Sequence, residues 1–135
     1  MKIKIFSLFV GIALVIVAIS TFLFFKSNVK SYDSLFTKQE GCTPYNLLLE
    51  KGDDNFSVRI KWMTKEKCSG FVQYGLDRED LNRIGLNIEN VAKSTEHEVL
   101  LEKLLAKERY FFIINSDNKG YAIYGSPLEF LLEDL

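Results

Sequence analysis

The sequence predicts an all-β domain, an antiparallel sandwich of about seven strands, preceded by one transmembrane helix. Three observations carry this. Phe56 to Met63, "FSVRIKWM", alternates apolar and polar residues with period two, the pattern of a strand with one buried and one wet face. Short β-rich segments recur along the second half of the chain, separated by Gly, Asp and Asn turn chemistry. Ile5 to Phe25, "IFSLFVGIALVIVAISTFLFF", holds no charge and no proline, and is long enough to cross a bilayer core as a helix.

The apolar run is flanked by Lys2 and Lys4 before it and by Lys26 and Lys30 after it. Two readings stand: an uncleaved signal-anchor, or a cleaved export signal cut after Ala18-Ile19-Ser20. "TFLFF" prolongs the run beyond that cut, which favours the anchor. No cysteine closes the run, so a lipoprotein anchor is not supported. The head of residues 1–4 carries two lysines and stays cytoplasmic, and the large polar part is exported. Setting aside Lys2, Lys4 and Lys26 leaves 14 of the 17 basic residues against 18 acidic ones, a formal charge of about −4. That balance argues against a nucleic-acid binder and against a polybasic membrane surface.

Residues 26–41, "KSNVKSYDSLFTKQEG", read as a stalk with a short helical piece near Tyr32 to Thr37. The folded part runs from Cys42 to Leu135, roughly ninety residues, enough for one modest core. Its first strand is Tyr45 to Glu50, led by Pro44. "KGDDN" then turns into the strand that starts at Phe56, with Phe56, Val58, Ile60 and Trp62 on the apolar face. "GFVQYG", Gly70 to Gly75, is a glycine-bounded strand with Val72 and Tyr74 on one face. "DREDLNRIGLN" from Asp77 reads as polar and irregular. "HEVLLEKLLAKERY", His97 to Tyr110, has helix-forming residues, yet His97, Val99 and Leu101 alternate, and "RYFFII" needs a partner strand. Strand, corner and strand is the expectation there, with a helix as the alternative. "DNKG" then turns into "YAIYG", and "PLEFLL" extends this last strand, with Pro127 suggesting an edge or a break.

Taken in order, these residues resemble a fibronectin type III domain, of the version found at the N-terminus of purple acid phosphatases and in bacterial surface proteins. The resemblance covers about Pro44 to Leu132. It rests on Trp62 in "VRIKWMT", on "GFVQYG", on "HEVLLEKL" matching H-x-V-x-L-x-x-L, on Tyr110 six residues after Leu104, and on "YGSP" with Phe130. Ala106 stands where the family carries proline. The resemblance implies an immunoglobulin-like sandwich with Trp62 and Tyr74 in the core. It also implies a tyrosine corner at Leu104 and Tyr110, in which the phenol bonds to backbone a few residues upstream. It carries fold and not phosphatase activity, because the His- and Asp-rich catalytic domain has no counterpart here.

Little chemistry remains. "HEVLL" begins like H-E-x-x-H, but Leu101 occupies the second ligand position and His97 is the only histidine in the chain. No catalytic residue, cofactor or metal ligand is assigned, and no small-molecule substrate is expected. Cys42 precedes the first strand and Cys68 follows the second. Those ends are neighbours in an antiparallel hairpin, so a disulfide is expected in an exported domain, with free thiols as the alternative. If Tyr110, Phe112 and Ile114 point inward, Phe111 and Ile113 point outward, and Phe71 joins them on the adjacent strand. These three form the candidate interaction face; the alternatives are that a stalk segment such as Leu35-Phe36 covers them, or that they are scattered.

The functional expectation is a non-enzymatic, single-pass membrane module that displays its sandwich outside the cytoplasm to a protein or glycan partner. The alternative is a structural subunit of a cell-envelope complex whose transmembrane helix makes the specific contacts.

Overall fold

The computed structural model describes residues 30–32, 40–87 and 92–135. The apolar run at 5–25, the Ala18-Ile19-Ser20 cut and Leu35-Phe36 lie outside the described residues. Among the described residues, no helix is long and apolar enough to cross a membrane.

Nine strands and one terminal 3-10 turn make up the described chain: β1 (Lys30–Ser31), β2 (Tyr45–Lys51), β3 (Val58–Cys68), β4 (Gly70–Gly75), β5 (Arg83–Leu86), β6 (Ser94–Leu101), β7 (Arg109–Ser116), β8 (Lys119–Tyr121) and β9 (Leu128–Leu131). They form two antiparallel sheets. The first has the order β1-β2-β3-β6; the second has the order β5-β4-β7-β8, with β9 also pairing β7. The molecule is therefore all-β, two sheets packed face to face as a sandwich.

The alternation seen in the sequence is what builds the core. Val58, Ile60 and Trp62 of β3 point inward between Leu47 and Leu49 of β2 and Val99 and Leu101 of β6. They meet Val72 and Tyr74 of β4, Tyr110, Phe112 and Ile114 of β7, and Leu128 and Phe130 of β9. Aromatic rings fill the centre: Tyr110 lies 5.5 Å from Phe130 between centroids and 6.4 Å from Tyr74. His97 to Leu101, the segment with helical propensity, is strand; its pairing with β3 and the burial of His97, Val99 and Leu101 outweigh local preference.

Four details correct or refine the sequence reading. Lys30 and Ser31, read as part of the stalk, form a strand on β2, and Tyr32, read as the start of a short helical piece, bonds to Leu47 beside it. Phe56 is not on the buried face; it is 55% exposed and precedes β3. Its N–H donates to Asp54 Oδ1 at 2.9 Å, and its carbonyl accepts from Leu104 N–H at 2.8 Å. Both bonds hold it in the turn, before the ladder and its alternation begin. Next, the "irregular" stretch after Asp77 contains β5. Gly85 is the reason this strand fits: a Cβ there would come within 2.4 Å of Leu101 and 2.7 Å of Val99, so only glycine lets β5 press against β6. Asn87 continues that approach with a bridge to Val99 across the sandwich edge. Finally, of the edge or break that Pro127 suggests, the structure has a break, between β8 and β9. Between β8 and β9 the chain makes a tight hairpin in which Ile123 and Ser126 exchange backbone bonds of 2.8 and 2.9 Å. Tyr124 and Gly125 both have positive φ, 50° and 79°, the geometry of a two-residue primed turn. Pro127, which has no N–H to give a ladder, follows at once.

Candidate functional site

The outer face of the second sheet is where apolar side chains meet solvent. Register fixes which residues share it. Phe71 stands opposite Leu86 on one side and Asn115 on the other; Gln73 stands opposite Ile84 and Ile113. Gly85, between Ile84 and Leu86, points inward, so Ile84 and Leu86 point out, and they are 61% and 69% exposed. Phe71 and Ile113 are half-buried beside them. At the centre Asn115 Nδ2 donates to Gln73 Oε1 at 3.0 Å. That bond satisfies both amides in part and leaves the surrounding surface apolar.

Phe111 sits at the margin of this face, opposite Gly75 and Glu129. The Arg78 guanidinium covers its ring at 5.1 Å from the centroid. Arg78 is held there by Glu129, 3.3 Å away, and Glu129 also binds Arg109 at 2.6 Å. Phe111 is thus capped by an ion-pair network, whereas Phe71 and Ile113 border open surface. The sequence reading therefore located three members of one face. It missed Ile84 and Leu86, the two most exposed of the five, because "RIGL" is only four residues long and sits among charges. The available signal was the glycine between two branched apolar residues.

At the opposite surface, the outer face of the first sheet holds a concavity of about 360 Å³ lined by Leu48, Lys61, Met63, Glu96 and Glu98 among others. Lys61 is bonded to Glu50 at 2.8 Å.

The remaining singled-out residues cluster inside or at one end. Cys42 and Cys68 are bonded, with Cα atoms 5.7 Å apart, and tie the chain leading into β2 to the end of β3. Trp62 stacks on its cross-strand partner His97, with centroids 4.9 Å apart and planes 9° from parallel. Thr64 Oγ1 lies 3.1 Å from His97 Nε2, while His97 Nδ1 and the Trp62 indole N–H have no hydrogen-bond partner among the described residues. Burial pushes the His97 pKa below its ordinary value, with a backbone hydrogen bond at Ser94 opposing in part, so the ring is neutral at neutral pH. Leu104 is buried at the turn between β6 and β7, and the next amide, Leu105 N–H, donates to the Tyr110 hydroxyl at 2.9 Å. Among the described residues, no group of three or more His, Cys, Asp or Glu side chains converges to hold a metal ion.

Compared with known proteins, the chain matches no protein-family model and no curated protein sequence.

Proposed function

We propose that the chain is a non-enzymatic, membrane-tethered display module: a fibronectin type III-like domain held outside the cytoplasm, binding a protein through the outer face of its second sheet. The observation that carries this is the cluster of Ile84, Leu86, Phe71 and Ile113 on three adjacent strands, with β5 the edge strand of that sheet among the described residues. Such a patch is costly to leave in water unless something covers it, and exposed apolar patches on small domains mark contact sites. An open edge strand adds backbone donors and acceptors to the same surface. A glycan would prefer exposed aromatic platforms with more hydrogen-bonding groups than the Gln73–Asn115 pair supplies, so a protein partner fits better.

The family likeness is supported by three features: the strand order in two sheets, Trp62 in the centre of the first, and the Leu105 amide resting on the Tyr110 hydroxyl where β6 crosses to β7. Export is supported by the Cys42–Cys68 bond, since disulfides persist in oxidising compartments.

The test is a double variant, Ile84→Asp with Leu86→Asp. Crosslinking in intact cells is expected to capture the partner at a level at least about tenfold lower than with the unchanged protein, because two buried carboxylates would have no partners in the complex. Both residues are exposed, so the melting temperature is expected to stay within about 2 °C. Unchanged capture would sink the proposal.

A further inference from the structure

The direction of β1 distinguishes the two ends of the sandwich. β1 runs antiparallel to β2, with Lys30 opposite Leu49 and Ser31 opposite Leu48. Tyr32 continues the path, its N–H donating to Leu47 carbonyl at 2.9 Å and its hydroxyl to the Glu129 carbonyl at 3.2 Å. Toward its N-terminal end, β1 therefore points to Glu50 and Lys51, at the end that carries the β2–β3 turn and away from the Cys42–Cys68 end.

The exit end is short of tether. Five peptide steps separate Phe25, the last residue of the apolar run, from Lys30; fully extended they reach at most about 18 Å. Lys30, one strand step or two from that end, is thus held within about 18 Å of the point where the apolar run stops.

That same end exposes two large apolar residues. Phe56, in the β2–β3 turn, is 55% exposed, and Leu105, in the turn between β6 and β7, is 56% exposed. The two turns are tied together by the 2.8 Å bond from Leu104 N–H to Phe56 carbonyl, and Asp54 fixes the Phe56 backbone from the other side. Nothing in the described fold calls for either residue to be apolar. Charges around them are mixed: Lys51, Lys103 and Lys107 against Asp53, Asp54, Glu102 and Glu108. A surface with this balance gains little from anionic lipid, so its affinity for a bilayer would come from apolar insertion.

We infer that Phe56 and Leu105 insert into the lipid surface of the membrane that holds the apolar run, seating the sandwich upright on that end. This rests on the reading of residues 5–25 as a membrane span. Seating fixes the direction in which the Ile84–Leu86 face looks, sideways along the membrane, toward partners anchored in the same bilayer.

The test uses the full chain reconstituted in zwitterionic phosphatidylcholine vesicles whose acyl chains carry bromine near the headgroups. Three variants each add one indole: Phe56→Trp, Leu105→Trp, and Lys67→Trp at the opposite end of β3. The native Trp62 is buried and gives a constant background. Brominated lipid is expected to lower the added emission at least about twofold at positions 56 and 105, where contact with the acyl region is direct, and to leave position 67 unchanged. Equal emission in brominated and ordinary lipid at both 56 and 105, in protein that floats with the vesicles, would overturn the inference. So would equal quenching at all three positions, which would mean no preferred end. Protein that does not float with the vesicles would remove the span reading itself, and the seating with it.

Discussion

Trp62→Ala is expected to destabilise the domain by about 3–5 kcal/mol, among the largest effects of any single substitution in the chain. The indole is 1% exposed and stacks on His97. On its other side it lies against the backbone of β4: a Cβ at Gly70 would come within 2.7 Å of Trp62 Cζ2 and 2.6 Å of His97 Nδ1. Glycine at 70 thus lets the β4 backbone pack directly against the two rings. The loss would be large relative to the total stability of a small domain. Trp62→Phe should behave differently. It keeps an aromatic ring and removes an indole N–H that has no partner among the described residues. Its expected cost is about 1–2 kcal/mol, because part of the cavity penalty is offset by relief of an unsatisfied donor. Urea unfolding of residues 30–135 measures both. Equal losses for the two variants would show that ring packing is not what Trp62 contributes.

Removing the disulfide is the second large effect. Cys42→Ser with Cys68→Ser should lower stability by about 3 kcal/mol, from the loop that the bond closes in the unfolded chain. The sequence separation is 26 residues. For a domain of this size that corresponds to a melting temperature lower by roughly 10–20 °C. The bond also has a local task. Gly41, beside Cys42, accepts backbone bonds from Lys65 and Glu66 at 3.1 and 3.2 Å, where β3 departs from regular pairing with β6. Without the bond those contacts are the ones expected to loosen first, visible as faster amide exchange at Lys65 and Glu66 than at Ile60. A melting temperature that does not respond to the double substitution would mean that the loop is constrained without the bond.

The fold was legible wherever burial imposes a period. β3, β4 and β7 carry alternating apolar residues over long stretches, and their inward positions follow directly. The His97–Leu101 strand required the context of its neighbours, since its residues favour a helix locally and only pairing to β3 reverses that. What sequence could not show were positions decided by a single contact between segments distant in the chain. Phe56 looks like the first residue of the alternation, but a carboxylate two residues earlier and an amide from the β6–β7 turn hold it outside. β5 is too short to display a period, and it exists because Gly85 allows close approach to Val99 and Leu101. Pro127 signals an edge or a break in the last strand, but the turn that makes the break depends on two consecutive residues at positive φ, one of them tyrosine, which composition does not announce. The candidate face was legible in part for the same reason. Phe71, Phe111 and Ile113 follow from alternation in long strands, whereas Ile84 and Leu86 follow from the placement of a short one. The ion-pair cap on Phe111 depends on Arg78, thirty-three positions away in the sequence.

The proposal that the sandwich, and not the apolar run, selects the partner is tested most directly by exchanging the run. Residues 5–25 replaced by an unrelated span of equal length, with the rest of the chain unchanged, should capture the same partner in crosslinked intact cells, at close to the original level. Loss of that capture, in protein still exported and folded, would contradict the account and favour a subunit held by helix contacts within the membrane.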